Sequence, residues 1–216
     1  NEDGDEVGNQ SFKVSRYDLP NFSVTAKADK TFYLPADKQA EIAVTADYLF
    51  GKPVTKGMVR VVRESERRWY WREQKYDVEE KEVFEGAADA EGKFIARVDL
   101  SEEIADLLKS GWQRFEDLNF AAYYTDLTTN KTEQRRFDIR LTKEPIHIYF
   151  IRYADNNPNL PVTAYVSTFY ADGSPAVCDV VVEGEEEKTV ARIKTNAYGA
   201  GKMEFNIPKE DSDERY

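Results

Sequence analysis

Apolar and polar residues alternate through most of this chain, the two-residue period of a strand with one buried face. Phe22 and Val24 alternate in this way after Leu19-Pro20, where the proline pushes the preceding residue towards extended backbone. Ile42, Val44, Ala46, Tyr48 and Phe50 keep the same spacing, and Gly51-Lys-Pro-Val closes that run in a tight turn. The pattern predicts strands over 22–28, 40–50, 58–63, 67–84 (as two strands), 93–99, 118–126 and 133–142, then 146–152, 161–170, 176–183, 188–195 and 202–207. One stretch departs from it. Ile104, Leu107 and Leu108 form a helical stripe, with Ser101 as N-cap, Glu102 and Glu103 at the positive end and Gly111 as terminator, so a short helix is predicted near 102–110. Many short strands separated by turn residues predict an all-β chain of antiparallel two-sheet, immunoglobulin-like sandwiches.

The pattern also repeats. Gly51 and Pro53 answer to Gly173 and Pro175, both displaced by 122 positions, while Asp89-Ala-Glu-Gly92 answers to Asn196-Ala-Tyr-Gly199, displaced by 107. The displacement falls by 15 residues between these markers, so the first copy carries that many extra residues between Gly51 and Gly92. The segment from Arg63 to Phe84 is the place for them, as an elongated hairpin. Two β units in tandem follow, with Thr142-Lys-Glu-Pro145 as linker: a polar tail over 1–10, a first sandwich over 11–143 containing the helix, and a second over 144–216. The second offers five strands, so a seven-strand sandwich is expected to be truncated at its C-terminal strands.

Charge and cysteine content narrow the function. Net charge is −11, which disfavours nucleic acid and anionic membranes as partners. No apolar run approaches the ~20 residues of a membrane helix, so no insertion by this chain is expected. Asn1-Glu-Asp-Gly-Asp-Glu holds no signal peptide; either a leader has been removed or the chain is an excised fragment. The lone Cys178 has no partner for an internal disulfide and shares a strand face with Ala176, Val180 and Val182, which favours a small buried hydrophobe over a reactive thiol.

Candidate chemistry is sparse. One histidine and one cysteine exclude a self-contained zinc site of the usual kinds. His147 alternates with Ile146 and Ile148 at a strand start and is expected to be a satisfied surface histidine, not a triad base. Glu183-Gly-Glu-Glu-Glu-Lys188 lacks calcium-loop spacing and is expected to be a solvated hairpin tip, and Asp155-Asn-Asn-Pro-Asn a turn. There is no glycine-rich phosphate loop. No catalytic residue, cofactor or metal site is therefore assigned. The one candidate surface is Arg68, Trp69, Tyr70, Trp71 and Arg72: alternation puts both tryptophans on one face, expected to be packed, and the segment is a candidate protein interface. Acidic flanks at Glu64, Glu66, Glu73 and Asp77 weigh against nucleic acid.

Phe12-Lys-Val-Ser-Arg-Tyr-Asp-Leu-Pro-Asn-Phe-Ser-Val with Tyr48-Leu-Phe-Gly-Lys-Pro-Val-Thr-Lys-Gly resembles the third macroglobulin-like domain of the α2-macroglobulin and complement thioester family. Asn159-Leu-Pro-Val-Thr-Ala-Tyr-Val through Asp172-Gly-Ser-Pro-Ala is similar to the start of the fourth. The resemblance implies a string of immunoglobulin-like sandwiches and a non-catalytic scaffold role in a protease trap, whose partners are neighbouring macroglobulin-like domains and, through the parent protein, target proteases. It implies no enzyme and no cofactor, because the family's bait segment and Gly-Cys-Gly-Glu-Gln thioester are both absent here; Cys178 sits in Val-Cys-Asp. It also implies an extracellular, periplasmic or cell-envelope location, and the single cysteine fits a bacterial relative. The alternatives are an Ig-like adhesin or cell-surface spacer and an accessory carbohydrate-binding sandwich of a secreted enzyme.

Overall fold

A computed structural model describes residues 20–72, 75–153, 162–184 and 189–205. The entry motif before Pro20, the Asp155–Asn159 turn, the glutamate-rich tip at 185–188 and the tail after 205 lie outside the described residues. In chain order the elements are β1 (Phe22–Ala28), β2 (Gln39–Tyr48), β3 (Gly57–Tyr70), β4 (Lys75–Ala87), β5 (Lys93–Asp99), α1 (Ser101–Lys109), β6 (Phe115–Asp126), β7 (Lys131–Thr142), β8 (Ile146–Tyr153), β9 (Val162–Tyr170), β10 (Asp179–Glu183), β11 (Thr189–Lys194) and β12 (Ala200–Phe205). Among the described residues the chain is all-β with one short helix, and the paired strands are antiparallel.

In the first unit a three-stranded sheet, β1-β2-β5, faces a four-stranded sheet, β4-β3-β6-β7, and α1 carries the chain from one to the other. Ile42, Val44 and Ala46 from one sheet meet Val59, Val61, Phe120, Ala122 and Tyr124 from the other in a single core. The alternation predicted for β2 ends at Tyr48: Phe50 lies in the turn, 73% exposed, stacked on the Tyr48 ring at 5.2 Å. The helix buries Ile104 and Leu107 but leaves Leu108 exposed. Its capping differs from expectation. Ser101 is the first helical residue, its N–H donates to Asp99 Oδ1 at 2.9 Å, and the chain leaves through Ser110 in extended geometry, not through a left-handed Gly111.

The repeat read from the sequence is present in the backbone. Gly51 and Gly173 have φ of 84° and 85°, and Gly92 and Gly199 have 79° and 69°, the left-handed region that glycine adopts without a Cβ penalty. Val54 N donates to Ala46 O as Ala176 N donates to Thr168 O, and the Asp89 carboxylate accepts from Glu91 and Lys93 as the Asn196 amide oxygen accepts from Tyr198 and Ala200. A Cβ on Gly92 would stand 2.5 Å from Val54 O, and one on Gly199 2.1 Å from Thr168 O, so both turns need glycine twice over.

The second unit matches the first only in part. Its β8-β9-β12 sheet corresponds to β1-β2-β5, and the β10–β11 hairpin to β3–β4, with nothing among the described residues in the places of β6 and β7. Its core is accordingly small, centred on Ala164, Val166, Val180 and Met203; Cys178, just before β10, packs against it half-buried, where a buried strand position was expected. Ile148 and Phe150 are 45% and 41% exposed. The two units also satisfy one polar corner differently. In the first, the Tyr124 hydroxyl reaches from β6 to donate to Val54 O, 3.2 Å from Gly92 O. In the second, the matching carbonyls of Ala176 and Gly199 lie 2.7 and 3.1 Å from Thr168 Oγ1, on β9 itself.

Candidate protein interface

The candidate surface sits on the elongated hairpin. β3 runs unbroken from Gly57 to Tyr70, where two strands separated near residue 64 were expected. It pairs with β6 only as far as Glu64↔Asn119, while pairing with β4 continues to Tyr70↔Lys75. Ser65–Tyr70 therefore leaves the sandwich as a two-stranded ribbon, ~20 Å long at the usual rise per residue. Register shifts at Arg63/Glu64 and Glu64/Glu66 mark its root, where a bulge adds twist and re-aims the strand. Among the described residues the β10–β11 hairpin of the second unit carries no such extension.

At the tip Trp69 and Trp71 do pack, but on each other: their rings stand edge to face at 6.3 Å and 83°. Trp71 lies in the turn after β3 and is 82% exposed, Trp69 is 39% and Tyr70 45% exposed. Arg68 and Tyr70 border a shallow cleft with Asp77 and Glu79 of β4. The packed-hairpin expectation is met only between the two tryptophans, and the ribbon's aromatics keep 39–82% of their surface exposed.

Ion pairs stiffen the root. Arg60 donates to Glu85 Oε1 at 2.8 Å and to both oxygens of Glu80, whose carboxyl it holds below the usual range. Exposed pairs of this kind stabilise by at most about 1 kcal/mol each. The inner pair is different. Arg63 continues the inward face of Val59 and Val61, and its guanidinium meets Glu103 of α1; both residues are buried, at 7% and 6% exposure. Lys81 of β4 adds a contact to Glu103 at 3.2 Å. Burial alone would raise the Glu103 pKa, but the hydrogen bonds from Arg63 and Lys81 outweigh it and hold the carboxyl below its ordinary value. The helix is thereby tied to the base of the ribbon, a link that sequence reading missed.

His147 also departs from expectation. It is buried, stacked on Phe115 at 5.6 Å, with Nε2 2.9 Å from Thr142 Oγ1. Burial first, then the nearby Arg114 and Arg140, lower its pKa, so the ring is neutral at pH 7. No group of three or more His, Cys, Asp or Glu among the described residues could hold a metal ion.

Residues 16–105 match the family model of macroglobulin domain MG3. Strands β1–β5, the whole ribbon and the start of α1 lie inside the matched residues; β6 onwards lies beyond the match. Over 210 residues the chain is 26% identical to venom factor 2 of Austrelaps superbus, covering 91% of this chain and 12% of that protein. Solved structures similar to it include the trypsin-activated α2-macroglobulin of Escherichia coli (11% identity, TM-score 0.44, 88% of this chain, 15% of that one). The methylamine-reacted α2-macroglobulin of Salmonella is another (11% identity, TM-score 0.47, 90% and 16%). The chain spans less than a fifth of the length of each of these three relatives. No described helix is long and apolar enough to cross a membrane.

Proposed function

We propose that this chain is a non-catalytic scaffold segment of an α2-macroglobulin-like endopeptidase inhibitor, exported to the extracellular space or cell envelope. The macroglobulin match over residues 16–105 carries the reading. The buried ionisable groups support it: Arg63 with Glu103, Glu64 with Arg136, Asp126 with Tyr48 and Thr129, and His147 with Thr142 each hold one strand or helix to another. Such closed pairs tie the fold together and leave no poised acid, base or nucleophile among them.

In this reading residues 11–143 and 144–216 are successive macroglobulin-like domains. The tip residues Arg68, Trp69, Tyr70, Trp71 and Arg72 are the contact surface towards neighbouring protein, because exposed aromatic and arginine side chains on a stiff projection are what interfaces favour. Target proteases meet the parent protein, not this segment. The test is the full-length protein carrying this chain, added to an endopeptidase digesting a protein substrate. Suppressed digestion is expected, and an unchanged rate overturns the reading.

A further inference from the structure

We propose that the contact between the two β units is a locked elbow pinned by Arg140, so that the units turn as one body and pass displacement along a scaffold instead of absorbing it. The purpose rests on the scaffold reading; the rigidity does not.

Arg140 commits its planar fork in three directions. Nε and Nη2 each donate to the Asp117 carboxylate at 2.7 Å, and Nη1 crosses to the second unit to donate to Ala171 O at 2.8 Å. The guanidinium also lies 4.3 Å from the centroid of the Phe115 ring. Asp117 and Arg140 are a cross-strand pair of β6 and β7, so the pin is oriented by a sheet before it reaches the joint. Ala171, at the turn after β9, is itself buried, and its N–H donates to Pro145 O at 3.0 Å.

Further contacts surround the pin. Arg114 Nη1 donates to Ile148 O at 3.2 Å and the group sits 5.9 Å from the Tyr149 ring. Phe115 of the first unit stacks on His147 of the second, and the Asp172 carboxylate accepts from Thr31. The linker has little slack. Three residues separate β7 from β8; Lys143 N donates to Arg114 O at 3.0 Å, its Nζ to Ser110 O, and Pro145 fixes one φ. Relative motion is the usual state of tandem domains, but here backbone, guanidinium and ring contacts from opposite sides of the linker leave no free rotation axis.

Nitrogen-15 relaxation on the full chain tests this. One rotational correlation time is expected for amides of 22–142 and 162–205. In Arg140→Ala, the transverse relaxation rate over 162–205 should fall by roughly half while cross-peaks inside each unit stay in place. Arg140→Lys keeps the charge but loses the fork, and should loosen the joint by a smaller amount. Separate tumbling in the unaltered chain overturns the elbow, and unchanged tumbling in Arg140→Ala overturns Arg140 as its pin. If the alanine variant does not fold, the unaltered chain and Arg140→Lys still decide. A full-length protein that fails to inhibit endopeptidases would remove the purpose without touching these measurements.

Discussion

Tyr124→Ala is expected to destabilise the first unit by about 3–5 kcal/mol, the range for removing a large buried aromatic. The ring is fully buried, edge to face with Phe22 at 6.0 Å, and a Cβ on Gly57 would stand 2.1 Å from it, so backbone and ring are fitted to each other. Burial, then the carboxylates of Asp126 and Asp89, push its pKa up to about 12, which keeps the hydroxyl a donor at any ordinary pH. Tyr124→Phe isolates that donor. It should lose about 1–3 kcal/mol, because Val54 O is then a buried acceptor without its partner. Urea unfolding followed by far-ultraviolet circular dichroism reads both. A phenylalanine variant as stable as the parent would mean that the carbonyl finds another donor.

Arg63→Ala should cost about 3 kcal/mol or more, since it leaves the Glu103 carboxylate buried with Lys81 as its remaining partner. Replacing both members, as Arg63→Met with Glu103→Leu, should recover most of that loss, because an apolar pair removes the desolvation penalty along with the attraction. Acid adds a second readout. The folded Glu103 pKa is below the ordinary 4.5, so its contribution is present above about pH 4.5 and is lost as pH falls through the folded value. The unaltered chain should therefore lose stability below that pH by more than the Met/Leu variant does. Equal acid sensitivity, measured by urea unfolding at pH 7 and pH 4, would show that the pair does not tie α1 to the ribbon.

The sandwich was legible in the sequence wherever one strand face met a core. Alternation located β1, β2, β5 and β9 to within two residues, because period two is all that a half-buried strand demands. The displacement of the glycine turns even placed the ribbon, since φ near 80° needs the same residue in both copies. Boundaries failed where pairing partners set them: β3 continues past Glu64 only because β4 accompanies it, which no local pattern encodes. The Arg63–Glu103 pair was missed for a related reason. A charge at an inward position reads as a break in the pattern until the opposite charge, 40 residues away, is brought against it. The exposure of Trp69 and Trp71 was not legible because a shared strand face gives the pair's mutual contact but not whether a second sheet lies over it.

The scaffold account is tested most directly by adding the purified chain, at concentrations equal to and above the enzyme, to serine, cysteine and metallo-endopeptidases. Hydrolysis should proceed at the rate seen without it, on protein and short peptide substrates alike, and the chain alone should hydrolyse neither. Stoichiometric inhibition, or turnover by the chain itself, would contradict the account, because these β units would then act on proteases or peptides directly.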